Sequence, residues 1–563
     1  MNRSPFVAIA PLLLISTGQI LAQTAPDAGA LRQQIERGRE SELPRKIAPD
    51  RPAQPAAMKP LGGTSVTVKR FVFAGNTLLT TEQLMPTVAN FLNRPLDFNQ
   101  LQGAVNAVAE AYRKAGWVVR TYLPAQDIVD GVVTIQIVEA VFGGVKFEGN
   151  AAKRIAHERI GRIFDAQQGK GLALNTDDLD RALLLADDLP GVTVVGSFRA
   201  GTGDRETDLV VKTLDEALFS GEAVLDNTGS RSTGSERLNA SAALHSAMGL
   251  GDSITGNVIH TQGSDYARLG FTLPVGYGGW RVGANVSRLD YQVVGTDFAL
   301  LKAKGSSASS GLEASYPIVR SRLQNLVLTL SHEFKSFDNQ SGGATTSKYK
   351  VDTYTIGLNG NLFDNLGGGG ANTASLNLVS GKANLDGSPN QAADAATTRV
   401  DGRFMKLSYH LSRQQVITDR LALYGSVSGQ AADRNLDSSE KFYLGGANGV
   451  RAYPANEGGG SEGVLATLEL RWRLPEGFIL TGFYDGGQVK VNRQNSFVGA
   501  ASPNRYDLAG AGLSLGWQTA FGLHLKAIWA RRLGNNPNPT ATGKDQDGSL
   551  DKDRIWLSAS MPF

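Results

Sequence analysis

The sequence contains no cysteine. Disulfides, thiolate metal sites and a cysteine nucleophile are thereby excluded. It also lacks a long run of either charge: 56 lysines and arginines stand against 53 aspartates and glutamates, a net +3 spread along the chain. That balance gives no electrostatic footprint for nucleic acid. Only six histidines occur, none in an HExxH pattern, and GxSxG and Walker motifs are missing. No catalytic residue, metal or cofactor is expected. Gly458-Gly459-Gly460-Ser461-Glu462-Gly463 matches GxGxxG in form, but the following VLATLELRWRL reads as a strand where a dinucleotide site needs a helix N-terminus. The acidic DQDGSLDKD lacks EF-hand spacing and its terminal Glu, and reads as a solvated loop.

Long apolar runs are missing as well. After the N-terminus none approaches the roughly 18 residues of a spanning helix, so any membrane crossing must be made by strands. The N-terminus itself reads as an export signal over residues 1–22: Arg3 precedes an apolar stretch from Phe6 to Ile15, and Ala22 offers a cleavage position. Residues 23–64 form a second segment. Leu31 and Ile35 give Asp27–Leu43 one narrow apolar stripe, enough for a short helix. Prolines at 44, 49, 52, 55 and 60 then make an extended tether.

Two compact α/β units are expected at residues 65–140 and 141–214, each with the order βααββ. They read as copies: Phe73-Ala74-Gly75-Asn76 matches Phe147-Glu148-Gly149-Asn150 at a spacing of 74. In both, Gly-Asn ends the first strand, where a turn calls for positive φ.

Residues 215–563 alternate with period two. In GVLATLELRWRLP, Val464, Ala466, Leu468, Leu470, Trp472 and Leu474 share one face, while Thr467, Glu469, Arg471 and Arg473 share the other. The closing strand sets Ile555, Leu557, Ala559, Met561 and Phe563 on one face. A β-sandwich also alternates, but the length of the region, the export signal and the terminal aromatic favour a transmembrane β-barrel. At about 22 residues per strand and loop, about 16 antiparallel strands fit. Counting back from Phe563 with short turns inside and long loops outside, the glycine-rich GGANGVRAYPANEGGGSEG emerges on the external side. Two strands later, Asp485 shares a face with Thr481 and Phe483. If the loop folds back into the lumen, Arg451 can reach Asp485 as a desolvated bidentate pair.

At these residues a family resemblance becomes specific. Val450-Arg451-Ala452-Tyr453 resembles the VRGY motif of two-partner secretion transporters (TpsB), and Gly482-Phe483-Tyr484-Asp485-Gly486 resembles their partner strand motif. The resemblance spans signal, tethered helix, two POTRA-like repeats and barrel, in that order. It implies a 16-stranded barrel in outer-membrane lipid with POTRA domains in the periplasm. It further implies a secreted TpsA-type partner bound through its N-terminal secretion domain, and an Arg451–Asp485 pair. The helix is then expected to plug the resting pore. Ala452 departs from the motif, which has glycine there. Barrel-assembly factors share the repeats and the arginine and stand as the alternative, with a passive porin third.

Overall fold

The computed structural model describes residues 27–37, 65–150, 152–294 and 301–563. The expected export signal and the proline tether lie outside them.

The first α/β unit is built from strands Arg70–Ala74, Val119–Tyr122 and Val132–Glu139 and helices Thr81–Val88 and Phe98–Lys114. Each helix begins at a reciprocal cap, Thr80 with Gln83 and Asp97 with Gln100, which satisfies two otherwise free amides. The longer helix buries Leu101, Ala104, Val105, Val108 and Tyr112, one face at helical spacing. Val132–Glu139 lies centrally and buries every second residue, including Val133, Ile135 and Ile137.

The second unit repeats the topology. Strand Val141–Phe147 runs parallel to Glu206–Asp215, which pairs antiparallel with Val192–Ala200, and helices His157–Gln167 and Thr176–Asp187 cover one face. The copies also agree in detail. Gly75 and Gly149 adopt φ of 87° and 86°. In the first unit the Leu78 amide donates to Glu139 (2.8 Å); in the second the Ala152 amide donates to Thr213 (3.2 Å). Both pairs of positions are related by the same offset of 74.

A closed antiparallel barrel of 16 strands follows, from Phe219–Asp226 to Asp553–Pro562, which pair with each other to complete the ring. The alternation read from sequence becomes an apolar outside: Leu468, Leu470, Trp472, Ile555 and Leu557 are exposed, whereas Leu465, Glu469 and Trp556 are buried within. Trp280, Tyr316, Trp472, Phe478 and Trp517 cluster at the strand ends nearest the α/β units, the position of an interfacial aromatic girdle. Connections at that end are short. The opposite end carries the long ones, including 385–401, 433–461, 491–504 and 533–552. Phe563 ends at the short-turn rim, where its amide and carbonyl pair with Gly221 (both 2.9 Å).

The N-terminal helix, Ala28–Arg37, lies inside the barrel. Ala28 and Leu31 pack with inward-facing Tyr266, Tyr291, Phe337 and Val351. The described helix is shorter than the expected Asp27–Leu43, and residues 38–43 fall outside the described range.

Candidate functional site: a pinned loop and a helix within the lumen

Loop 433–461 turns back into the barrel instead of standing out in solvent. Its fold depends on close backbone approaches that a side chain would block: a Cβ on Gly449 would lie 2.0 Å from the Leu444 carbonyl oxygen. With glycine there, the Val450 amide donates to the Leu444 carbonyl (2.7 Å), and the Tyr453 amide donates to Val450 (3.0 Å). Val450, Arg451, Ala452 and Tyr453 are all buried.

Arg451 is the centre of this arrangement. Its Nε and Nη2 donate to the two carboxylate oxygens of Asp485, each at 2.8 Å, and its amide donates to Asp485 Oδ2 at 3.2 Å. Nη1 donates to Glu469 (2.8 Å), and the guanidinium carbon sits 3.5 Å from the centroid of the Phe483 ring. The Arg451 carbonyl accepts from the Trp556 indole (2.8 Å). Thr467 donates a further bond to Asp485 (3.0 Å), and Arg471 donates to the far oxygen of Glu469 (2.8 Å). Two cations thus meet two anions, and each charge is hydrogen-bonded, the condition under which buried ions persist. Burial works against the charge on Arg451, but Asp485 and then Glu469 outweigh it and hold the guanidinium above its ordinary pKa.

Of the motif residues, Phe483 and Asp485 face Arg451, while Gly482 and Gly486 fall on the opposite, outward side of strand Phe478–Lys490 by its period of two. Tyr453 lies under Arg532, whose guanidinium is 4.6 Å from the ring centroid. Gly75, Asn76, Gly149 and Asn150 belong to the turns of the α/β units and take no part in this site. Glu469 and Trp556 are members that the motif reading missed, as is Gly510, where an added Cβ would lie 2.5 Å from the Ala452 methyl group. Glu469 could have been found by alternation, since it shares the inward face with Thr467.

The same loop seats the helix. Asp27 accepts from Ser438 (2.8 Å), Gln34 accepts from Asn456 (3.4 Å), and Arg37 donates to the Tyr443 carbonyl. From the wall, Asn339 accepts the Ala28 amide (3.0 Å), and Glu333 and Ser309 hold Arg32, which also pairs with Glu36 one turn on in the helix. Glu333 also contacts Lys335 (3.2 Å), and Lys335 and Lys406 both bind Glu440 of the loop (2.9 and 2.8 Å). Burial alone would raise Glu440, but the two lysines bring it down to about 2. Asp437, next to the helix start, goes the other way. Burial first, and the charge of Asp27 second, push it up to about 6 against hydrogen bonds from Ser439 and Tyr349.

The family model for the haemolysin secretion/activation proteins ShlB/FhaC/HecB matches residues 205–518, more than half of the chain. The chain belongs to this family. A second model, the ShlB-type POTRA domain, matches residues 66–140, the first α/β unit. Similar proteins include the heme/hemopexin transporter protein HuxB of Haemophilus influenzae, 25% identical over 97% of this chain and 96% of the relative. The outer membrane transporter CdiB of Dickeya dadantii is 24% identical over 78% of this chain and 79% of its own length. Among solved structures, CdiB from Escherichia coli superposes with a TM-score of 0.71 at 21% identity, covering 96% of this chain and all of that one. BamA from Haemophilus ducreyi lacking POTRA domains 1–3 shares the fold at a TM-score of 0.51 and 15% identity, over 89% of this chain and all of its own. The protein is an outer-membrane barrel with its POTRA region in the periplasm. The short-turn rim of the barrel therefore faces the periplasm, and loop 433–461 enters the lumen from the outside.

Proposed function

We propose that this protein exports a large partner exoprotein across the outer membrane, without enzymatic activity of its own. The partner's N-terminal secretion domain is captured by the periplasmic units, and its chain then passes through the lumen in extended form. The observation that carries this reading is the lumen itself: a closed barrel that holds the short helix Ala28–Arg37, which a proline-rich stretch follows in the sequence. A stopper built this way can leave without unfolding the wall.

Capture has a physical basis in the two three-stranded sheets. Val119–Tyr122 and Val192–Ala200 are edge strands, and an extended client can add to such an edge through main-chain hydrogen bonds that make little demand on its sequence. Binding of that kind tolerates a client in motion. The Arg451–Asp485 pair serves by pinning loop 433–461 at one point, so that the loop holds both the helix and the wall in register. Two POTRA-type units and a helix in the pore support secretion over insertion of other barrels.

The test is co-production with a TpsA-type partner exoprotein. The expected result is its appearance outside the cell with the full chain, and its retention in the periplasm when residues 66–214 are deleted. Export undiminished by that deletion would leave a passive pore as the better account.

A further inference from the structure

Three neighbouring strands, Ala344–Asp364, Gly370–Asn384 and Gly402–Val416, carry an unusual sequence of residues on their outward face. Their middle part is apolar and exposed to lipid: Tyr354 and Ile356, Leu376 and Leu378, Met405 and Leu407. Further toward the long-loop, extracellular rim the same face turns cationic, with Lys350, Lys382 and Arg403 all exposed. Arg403 stands two positions beyond Met405, about 7 Å along the strand. The cations therefore begin where the apolar belt ends, at the level of lipid headgroups.

Lys382 and Arg403 are direct cross-strand partners. Like charges in that relation repel, so the pair calls for an anion. Two more cations join them. Arg434, at the root of loop 433–461, donates from Nη1 to the Arg403 carbonyl (2.7 Å) and from Nη2 to the Arg399 carbonyl (2.5 Å). Among the described residues no carboxylate pairs with Lys382, Arg399, Arg403 or Arg434.

The nearby acids are committed elsewhere. Asp352, the other cross-strand neighbour of Lys382, is bonded to His332 (2.6 Å). Asp394 accepts the Val400 and Asp401 amides (both 3.0 Å), Asp401 accepts the Leu385 amide (3.0 Å), and Asp433 accepts the Met405 amide (2.9 Å). Other outward cations of this half of the barrel do have partners: Arg288 with Asp290 (2.6 Å), Lys490 with Glu462 (3.2 Å) and Arg531 with Asp553 (3.5 Å).

We propose that this patch is a seat for one phosphorylated glycolipid of the outer leaflet, of the lipopolysaccharide class, with a lipid A phosphate held between Lys382 and Arg403. A phosphate there turns a repulsive pair into a bridge, and the arginine fork can engage two of its oxygens. The acyl chains then lie down the apolar face past Met405, Leu378 and Ile356. Both halves of the ligand are met in the order that an amphiphile in that leaflet presents them. Because ammonium and guanidinium groups take the phosphate directly, the seat needs no bridging divalent cation.

The experiment uses the full-length protein in non-ionic detergent, with bound lipid read by native mass spectrometry. Three probes are titrated: lipid A carrying both phosphates, the same lipid A after dephosphorylation, and phosphatidylglycerol. The unaltered protein is expected to hold the phosphorylated lipid A about tenfold or more tightly than either of the others, with or without EDTA. Lys382→Gln combined with Arg403→Gln should abolish that preference, and Arg288→Gln should leave it intact. Heat-modifiable migration checks that every variant is a folded barrel, and the comparison of lipids on the unaltered protein depends on no variant. Equal retention of dephosphorylated lipid A would overturn the proposal. So would equal retention of phosphatidylglycerol, which marks a general attraction for anionic lipid, or displacement of lipid A by inorganic phosphate at matched concentration, which marks a site for the free ion. A double variant that keeps the preference would also overturn it.

Discussion

Ala452 and Gly510 share one space: a Cβ added to Gly510 would lie 2.5 Å from the Ala452 methyl group. The motif's usual glycine is replaced here in the loop, and the strand Arg505–Gln518 supplies a glycine at the point of contact. Ala452 adopts no left-handed backbone conformation, so its methyl costs nothing in φ and only needs room. Gly510→Ala is therefore expected to overpack the contact by about 1–3 kcal/mol. Thermal unfolding in detergent should show the loss, and Ala452→Gly in the same chain should recover it.

Removing one partner of the central ion pair should be more severe. Arg451→Ala leaves Asp485 buried and uncompensated, a cost of about 3–5 kcal/mol, and the reverse holds for Asp485→Ala. Each variant is expected to reduce export by an order of magnitude or more while still inserting as a heat-modifiable barrel. The double variant should be less impaired than the sum of the two, because it leaves no lone charge at that contact.

Arg32 is the helix's buried charge, held by Glu333 and Ser309 of the wall. Arg32→Ala removes the helix's ion pair to the wall, leaves Glu333 with Lys335 alone and loosens the helix. Single-channel recording in planar bilayers should show a larger open fraction than the unaltered protein, with no change in the size of the fully open level.

The acid at the helix start gives a pH dependence. Asp437 is raised from 3.8 to about 6 while the helix is seated, because of burial and then Asp27. Departure of the helix removes Asp27 and lets the group fall back toward its ordinary value. The seated state therefore binds the extra proton. Its advantage is fully present below about pH 4, is lost as pH rises, and is gone above about pH 6. Across that window the closed-to-open ratio should change by up to about tenfold per pH unit. Conductance recorded from pH 4 to pH 7 should rise accordingly, and Asp437→Asn should flatten the profile.

Much of the fold was legible because it rests on short periods. Alternation of Leu468, Leu470 and Trp472 against Thr467 and Glu469 fixes which face meets lipid, and the 74-residue offset exposes the repeat. Parity of short and long connections places loop 433–461 without any contact information. Arg451 and Asp485 were recognisable because each sits in a short contiguous motif that resembles the family's, and alternation puts Asp485 on one face with Thr481 and Phe483. The rest depends on register between strands distant in sequence. Trp556 comes 105 positions after Arg451, and nothing local announces that its indole meets that carbonyl. Gly510 reads as one small residue in an Ala-Gly-Ala-Gly run until the loop is in place. Asp188 pairs with Arg320 (2.8 Å) across 132 positions, between two units whose docking no periodicity encodes.

The route through the lumen, with a helix that must leave, is tested most directly by locking that helix in place. Asp27 and Ser438 already meet at 2.8 Å, and the chain has no native cysteine to interfere. Asp27→Cys and Ser438→Cys should form a disulfide on oxidation, and export of the partner exoprotein is measured before and after reduction. The account predicts that the oxidised form exports nothing above background and that reductant restores transport. Export by the fully oxidised form at the rate of the reduced one would contradict it.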